Sequence, residues 1–417
     1  AQVKQYPNVA LVISYRSDYS SVIEPPKSLP LISHSGFAGK EGQALAAYCR
    51  VFGIPVPATS TFDPAFSSPL FLRMFCEVLA ARGQGAPGSL TRSTLFGRFA
   101  TIRAARVIDA LRLAPSSRVV AEAMDVLADR LLAADGRPIS RAEIESSIDA
   151  LLPGRNWPDT LFGRMHSEGL IEIRPSFSGG ESVTLPFQAY SEHVLGNRLL
   201  KSLGSPNELA DRVRDAPWLW RALAVLLPER HSVELVDLIP DIRANRRLNE
   251  AVRDSLVDRA ADAFGKRAFE LLEDQIGGDF DERSHGVDAI IALGPRLGHP
   301  ANARWLHERL KAQVLAERDA SWSIAAYSAD EDSPSLTRLR SWASLIGDAV
   351  ETDEAELAAI TLMWLLTSPN RFLRDKVTRT LSGLLAKRLS VAATLITMAV
   401  ELDDPYIQER VLLACYG

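Results

Sequence analysis

Cysteine is scarce in this chain, and long hydrophobic runs are missing. The 417 residues hold three cysteines, Cys49, Cys76 and Cys415, which are scattered without the spacing of a metal site. We therefore expect reduced thiols and a cytoplasmic protein. No apolar stretch approaches the roughly 18 residues that a membrane span needs, so we expect a soluble chain with no membrane partner.

An excess of positive charge is also missing. Lysine and arginine together number 47 against 52 aspartates and glutamates, which gives a formal net charge of −5. Such a chain has no overall positive field to attract phosphate backbones, so we do not expect it to bind nucleic acid, although a local basic patch stays open. The histidines form no zinc motif and no Ser-His-Asp triad, and we expect no catalytic residue and no metal ligand.

The N-terminal segment contains one sharp strand signal in a chain long enough for two or three domains. The hexamer VALVIS at residues 9–14 is apolar and β-branched without alternation, as in a strand that helices cover on both faces. A buried parallel strand needs sheet neighbours, and few candidates follow it. We therefore expect its partners to lie upstream of residue 1.

Helical patterns dominate the next part of the chain. Gly39-Lys40-Glu41 predicts the start of a short helix that runs to about Phe52. The segment SPLFLRMFCEVLAA at 68–81 predicts a helix with Pro69 at its first position and a broad apolar face. Two or three amphipathic helices fill about 91–133.

From Asp135 the pattern changes to two helices followed by two short strands. Ser140 and Glu143 predict a capping box, and Gly169 is placed to end a helix. LIEIR at 170–174 alternates between apolar and charged residues, which predicts a strand, and Gly179-Gly180 predicts a turn. VTLPF at 183–187 predicts the second strand of a hairpin. Together these signals favour a winged helix-turn-helix, with a further helix over 189–203.

Beyond about residue 217 the sequence predicts amphipathic helices separated by Pro, Gly or Asn, as in an α-solenoid. FLRDKV at 372–377 matches YIQERV at 406–411 in residue type at every position except the third, with an offset of 34. The breakers Pro369-Asn370 and Asp404-Pro405 recur before both copies. The tryptophans of this region are spaced unequally, and we expect most of them in the core between stacked helices.

Three separated stretches resemble one family, the STAND (NACHT-like) NTPases. NVALVISYR at 8–16 resembles their sensor-1 strand, and SPLFLRMFCE at 68–77 resembles their NPLFL…LCE helix. LPFQAYSEHV at 185–194 resembles the F-x-[FY]-Q-R-F-S-D-H segment after their winged-helix hairpin, with Ala189 in place of a basic residue. Ser67-Ser68 stands where relatives carry Asn before the proline. The ending DDPYIQER at 403–410 is similar to a repeat motif of the prokaryotic antiviral STAND group.

Pattern and resemblance together predict a mainly α fold in four parts. The first is the C-terminal part of an α/β P-loop NTPase domain at 1–85, and a helical lid follows at 86–134. A winged-helix domain is predicted at 135–203 and a helical-repeat sensor domain of HEAT or TPR type at 204–417, which we expect to be truncated.

The resemblance implies a nucleotide-binding role for three residues. Arg16 would reach the terminal phosphate, Pro69 would pack by the adenine, and His193 would read the β-phosphate. A simpler interpretation stays open for each residue. Arg16 could be a surface arginine at a strand exit, and Pro69 a proline at the favoured first helical position. His193 could be a partly exposed histidine bonded to Glu192 or a neighbouring turn. No G-x-x-x-x-G-K-[ST] motif occurs. We therefore expect a full-length parent ATPase to bind ATP or ADP with Mg²⁺. We expect this chain alone to have no cofactor and no ATPase activity.

The resemblance further implies a function in bacterial antiphage defence. In this family a partner on the repeats releases an ADP-held resting state and permits homo-oligomerisation, and in the antiviral relatives that partner is a phage protein. Two alternatives stay open, a helical-repeat scaffold without nucleotide chemistry and a winged-helix DNA-binding regulator. Residues 135–200 carry six arginines against nine acids, which disfavours the DNA-binding alternative.

Overall fold

The computed structural model describes the chain at residue 32 and over 36–56, 64–82, 91–176, 179–201, 206–239, 245–329, 333–345 and 352–416. The chain forms two compact units, Ala1–Gly36 and Phe37–Gly417, and the features below belong to the second. The strand predicted at 9–14 and Arg16 lie outside the described residues. The described part is mainly helical, as the sequence predicts.

The first four α-helices of this unit lie where the sequence places them. They are α1 (Glu41–Phe52), α2 (Pro69–Arg82), α3 (Arg92–Ala110) and α4 (Val119–Ala133). Gly53 ends α1 with a left-handed φ of 64°, a conformation that a residue without a β-carbon adopts at little cost. Helix α1 packs on α2, and α2 packs on α3.

A small antiparallel sheet follows α4. Its strands are β1 (Ile139–Ser140), β2 (Glu172–Pro175) and β3 (Glu181–Thr184), in the order β1-β3-β2. Helices α5 (Arg141–Asp149) and α6 (Leu161–Ser167) lie between β1 and β2 in the chain. The predicted hairpin is confirmed, with β2 and β3 paired directly. The sequence does not predict β1, because two residues are too few to show alternation.

The capping box predicted at Ser140 and Glu143 does not form. Ser140 stands at the N-cap of α5, but its side chain accepts no capping hydrogen bond. The residue also belongs to β1 and pairs with Ser182, so the sheet fixes its backbone. A complete box occurs instead at Asp279 and Glu282, where each side chain accepts from the other residue's amide, at 3.0 and 3.1 Å.

Helices continue to the end of the described chain, and no strand occurs in its ranges beyond residue 184. The helices are α7 (Gln188–Lys201), α8 (Pro206–Asp215), α9 (Trp220–His231), α10 (Leu235–Leu238), α11 (Arg246–Asp258), α12 (Lys266–Gly277), α13 (Phe280–Leu293), α14 (Ala303–Lys311), α15 (Leu315–Arg318), α16 (Ile324–Ser328), α17 (Pro334–Leu345), α18 (Thr352–Leu365), α19 (Arg371–Leu385), α20 (Leu389–Val400) and α21 (Pro405–Tyr416). None of the helices within the described ranges is long and apolar enough to cross a membrane.

The helices from α9 onwards pack in two rows. In one row α9, α11, α13, α17, α19 and α21 each contact the next. In the other, α14 contacts α18 and α18 contacts α20, while α18 also packs on α19 and α20 on α21. Each helix pair therefore buries its apolar side against a neighbouring pair. Trp322, Trp342 and Trp364 are among the largest fully buried side chains of this region, which confirms the core role expected for most tryptophans.

The 34-residue echo is visible in the hydrogen bonds of α19 and α21. Asn370 and Asp404 cap the two helices, and each side chain accepts from the amides two and three residues later, at 3.0 and 3.3 Å and at 3.1 Å twice. At the one position where the two sequences differ in type, Arg374 and Gln408 each donate to the carbonyl six residues earlier, at 2.7 and 2.9 Å. The two segments therefore repeat in structure as well as in sequence.

The buried apolar residues form two groups along the chain. One extends from Ala44 to Val252 and the other from Leu256 to Ala414, so the division falls within α11. Helix α1 also packs against α17, which lies far along the chain. Gly39, with a φ of 75°, precedes α1, and a β-carbon built on it would lie 3.5 Å from the methyl group of Thr337.

Candidate functional site

Pro69 occupies the first position of α2, as predicted. Ser68 precedes it, and its hydroxyl accepts a long hydrogen bond of 3.4 Å from the amide of Phe71. Phe66 stacks edge-on against Phe71 and Phe75, with ring centroids 5.2 and 5.0 Å apart. A proline at this position lacks only an amide hydrogen that no helical carbonyl would accept. Its place in the helix accounts for the residue, and the adenine contact stays a prediction.

Glu77, the last residue of the motif stretch on α2, is buried and ion-paired. Arg103 of α3 donates to both of its carboxylate oxygens, from Nε at 3.0 Å and from Nη2 at 2.5 and 2.6 Å. Arg73, one turn before Glu77, adds a contact of 3.1 Å. Both members of the Glu77–Arg103 pair are less than a tenth exposed. A buried carboxylate is stable in its charged form when it is paired in this way.

Arg103 also reaches the end of α6. Its Nη1 donates to the backbone carbonyl of Glu168 at 2.5 Å, and its guanidinium lies 5.1 Å from the ring centroid of Phe99. Gly169, with a φ of 70°, ends this helix as the sequence predicts. A cation at the carboxyl end of a helix is favourable because free carbonyls and the helix dipole meet it there. One side chain therefore joins α2, α3 and the helix that leads into the β2–β3 hairpin.

His193 lies on α7 against the start of α3. Its ring meets Phe96 edge-on at 5.3 Å. The side-chain amide of Asn197 lies 3.0 Å from His193 Nε2, and it also donates to the backbone carbonyl of His193 at 2.9 Å. Of the two expected partners, Glu192 or a neighbouring turn, the structure shows the neighbouring turn, through Asn197, while Glu192 accepts from Gln188 at 2.6 Å. Asn197 lies one helical turn after His193, a spacing that brings its side chain to the imidazole ring.

The protonation of His193 follows from its surroundings. Burial, and then the charge of Arg230, lower the pKa of His193 to about 4. The imidazole is therefore neutral at pH 7. Because Asn197 donates to Nε2, the remaining proton sits on Nδ1, where the ring can offer one uncharged donor.

Tyr190, one turn before His193, packs between two phenylalanines of α3. Its ring lies edge-on to Phe96 at 5.8 Å and to Phe99 at 5.7 Å. The hydroxyl is fully buried, and burial raises the pKa of Tyr190. No hydrogen-bond partner for it occurs among the described residues. The F-x-[FY]-Q-R-F-S-D-H segment that this stretch resembles has a phenylalanine at the position of Tyr190. The apolar surroundings therefore suit the ring of Tyr190, but they leave its hydroxyl without a hydrogen bond among the described residues.

The basic residues around the sheet are engaged by carboxylates or carbonyls. Arg164 of α6 pairs with Asp159. Arg141 meets Glu145 at 2.8 Å and Glu181 at 2.6 Å. The remaining pairs are Arg174 with Glu172, Arg198 with Asp129 and Arg137 with Asp135. A DNA phosphate would have to compete with a carboxylate at each of these arginines, which disfavours DNA binding here.

Two of the three cysteines come together although they are distant in sequence. Cys49 on α1 and Cys76 on α2 are both buried, and each thiol influences the pKa of the other. Burial is the main reason that the pKa of Cys76 rises to about 12, and the neighbouring Cys49 adds to it. A thiol in this state is a weak nucleophile. Within the described ranges, no group of three or more His, Cys, Asp or Glu side chains could hold a metal ion.

Of the predicted site residues, Pro69 lies on α2 and His193 on α7. Among the residues that the structure describes, no hydrogen bond or ring contact joins Pro69 to His193, and Arg16 lies outside them. The residues that sequence reasoning missed are Arg103 and Asn197, which connect the motif stretches to their surroundings. No protein-family model, no curated protein and no solved structure matches this chain. The resemblance to STAND NTPases therefore depends on the motif residues alone.

Proposed function

We propose that this chain is the regulatory and target-sensing portion of a STAND signalling ATPase, in which α2 closes the nucleotide-binding part and the helical rows from α9 onwards sense a protein partner. A role in bacterial antiphage defence belongs to the same proposal. The parent would bind ATP or ADP with Mg²⁺ through a P-loop that this chain does not contain.

One observation carries the proposal, namely that α3 contacts two of the motif stretches at once. Arg103 of α3 holds Glu77, the last residue of the 68–77 stretch. One and two turns earlier, Phe99 and Phe96 pack on Tyr190 of the 185–194 stretch. In a switching ATPase the helix between the nucleotide-binding part and the winged helix must connect the two. A scaffold without nucleotide chemistry gives no reason for this arrangement.

Three further features support the proposal. The order helix, strand, two helices and hairpin over α4 to β3 is the order expected of a winged helix, which supports the proposal. The two rows of helices after α9 have the stacking pattern of a repeat domain, which offers an extended surface to a folded partner. His193 adds a neutral donor near a positive charge, Arg230, which suits contact with a phosphate group.

The test uses the full-length parent protein. Its reading frame should encode a P-loop upstream of residue 9, and the purified protein should retain ADP, which chromatography of the heat-released nucleotide would detect. His193→Ala should lower the retained ADP, whereas His285→Ala, at an exposed position on α13, should not. A parent without a P-loop, or equal ADP in both variants, would refute the proposed site.

A further inference from the structure

The end of α11 is held by polar contacts from four other parts of the chain. Four consecutive residues at 257–260 each bond to a residue of a different element: Val257 to Arg296, which follows α13, at 2.7 Å, Asp258 to Arg92 of α3 at 2.7 Å, Arg259 to Glu234, which precedes α10, at 2.6 Å, and Ala260 to Glu229 of α9 at 3.2 Å. The two groups of buried apolar residues divide within α11, a few residues earlier. These polar contacts therefore lie where the two groups meet.

Two of these residues sit at helix ends that disfavour their own charge. Arg92 is the first residue of α3, and Asp258 is the last residue of α11. A helix is electrically positive at its amino end and negative at its carboxyl end, so a cation is unfavourable at the start of α3 and an anion at the end of α11. The opposite assignment, an acid at 92 and a base at 258, would suit both helices and keep the attraction. The natural pair therefore holds the two helices less strongly than the reversed pair would.

The two ion pairs at the end of α11 differ in how easily they can open. Arg259 and Glu234 are almost fully buried, and separating such a pair leaves a charge without a partner inside the protein. The side chains of Arg92 and Asp258 are 28% and 13% exposed, so water can reach them as they separate. The Arg92–Asp258 pair is therefore the contact that can open while the buried pair stays closed.

The start of α3 is in turn connected to one of the motif stretches. Phe96 lies one turn after Arg92, and its ring meets Tyr190 and His193 of the 185–194 stretch edge-on, at 5.8 and 5.3 Å. A displacement of Arg92 therefore moves a ring that packs against α7. The contact with Asp258 connects this packing to the helical rows, to which α11 belongs.

We propose that the Arg92–Asp258 pair is a latch between α3 and the helical rows, and that it opens when a partner displaces α11. The closed latch keeps the start of α3 in place and Phe96 against His193. The open latch frees the start of α3 and loosens this packing. Because both charges are at unfavourable helix ends, a binding event can break the pair at low cost. What the latch controls rests on the proposed function, whereas the latch itself can be tested in this chain.

Hydrogen exchange of the purified 417-residue chain, followed by mass spectrometry of its peptides, tests the latch. Arg92→Asp and Asp258→Arg each place like charges at the latch, so the amides in the first turns of α3 should exchange about fivefold faster. An acid at the first position would by itself strengthen α3, so faster exchange in Arg92→Asp has to come from the open latch. The double variant, Arg92→Asp with Asp258→Arg, restores the attraction and suits both helix ends, so its α3 should exchange more slowly than that of the unsubstituted chain.

A second ion pair supplies the control. Arg304 of α14 lies 3.1 Å from Glu356 of α18, so Arg304→Glu reverses a charge within the rows and should leave the exchange of α3 unchanged. Circular dichroism should show the same helix content in every variant, because all the substituted side chains are partly exposed. Unchanged exchange of α3 in both single variants, a double variant that exchanges as fast as the single ones, or faster exchange in Arg304→Glu as well would overturn the latch.

Retained ADP in the full-length parent separates the latch from the proposed function. The ADP released by heat should fall in both single variants, because the open latch loosens the packing around His193, and the double variant should retain it. A parent that retains no ADP would refute the proposed function, while the exchange of α3 in the 417-residue chain would still decide whether the latch exists. Equal ADP in all variants of a parent that retains it would overturn the regulatory role of the latch.

Discussion

Arg103 of α3 holds the carboxylate of Glu77 on α2 through two of its nitrogens, and the same guanidinium donates to the carbonyl of Glu168 at the end of α6. Any movement of the hairpin region relative to α2 would have to break or stretch one of these bonds. In a switching protein this side chain is therefore placed to couple the two regions.

The first prediction concerns the stability that this pair provides. Arg103→Met should lower the free energy of unfolding by about 3–5 kcal/mol, because it leaves a buried carboxylate without its main partner. Adding Glu77→Leu should restore part of the loss, since no charge is then left buried. Urea denaturation of the chain gives these values. Arg174→Met, at an exposed pair, should cost less than about 1 kcal/mol. Equal losses for Arg103→Met and Arg174→Met would contradict the coupling role.

The second prediction concerns pH. The pKa of His193 is lowered from 6.5 to about 4, so between these values the unfolded chain binds a proton that the folded chain does not. The contribution of His193 to the free energy of unfolding should therefore be constant above pH 6.5 and fall as the pH drops towards 4, by on the order of 3 kcal/mol.

A histidine variant separates this effect from others. Burial also lowers the pKa of His299 and His307, which contribute to the same slope. His193→Asn should reduce the slope between pH 4 and 6.5, measured by denaturant titration of this variant and of the unsubstituted chain at a series of pH values. An unaltered slope in His193→Asn would show that this imidazole titrates normally.

The third prediction is that the 417-residue chain alone does not hydrolyse ATP, because the backbone cradle for the phosphates is missing. A coupled phosphate-release assay on the purified chain should give the background rate. In the full-length parent, Arg16→Ala should reduce hydrolysis or signalling, since a charge-assisted contact to the terminal phosphate would be lost. Hydrolysis by the isolated chain that Arg16→Ala abolishes would mean that the architecture is misassigned.

The fourth prediction is that the region of β1 to β3 does not bind duplex DNA. Its arginines already pair with carboxylates, and the chain is acidic overall. A mobility-shift assay at physiological salt should show free DNA at every protein concentration. A shifted band whose affinity falls steeply with salt would support the DNA-binding alternative instead.

The fifth prediction is that residues 200–417 recognise a folded protein. Stacked helix pairs offer a surface too extended for a small ligand, which prefers an enclosed pocket. Pull-down from phage-infected and uninfected cells should recover a viral protein only from the infected cells, and substitutions on one helical face should abolish its capture without unfolding the bait. If only the parent protein is recovered, from infected and uninfected cells alike, the result would contradict the sensor role.

The sequence predicts the individually placed helices α1, α2 and α7 well because their signals are local. Pro69 begins α2 and Gly169 ends α6, as turn and capping chemistry requires. The repeat echo likewise extends to the capping residues Asn370 and Asp404. Each of these signals is complete within a few residues of chain.

The candidate site is less predictable because its contacts are long-range. Arg103 lies 26 residues from Glu77, and no local pattern connects them. One signal was present in the sequence, however: Glu77 interrupts an apolar helix, and a charge on a buried face requires a partner. No such signal marks the contact of Cys49 with Cys76, since a cysteine can be buried in an apolar helix without a polar partner.

The contact between α1 and α17 has a consequence during synthesis. A ribosome that has completed α1 must add 334 − 52 = 282 further residues before α17 begins to appear. At about 5–20 residues per second, α1 waits roughly 15 to 60 seconds for this partner. Throughout that interval the surface of α1 that α17 will cover is open to chaperones.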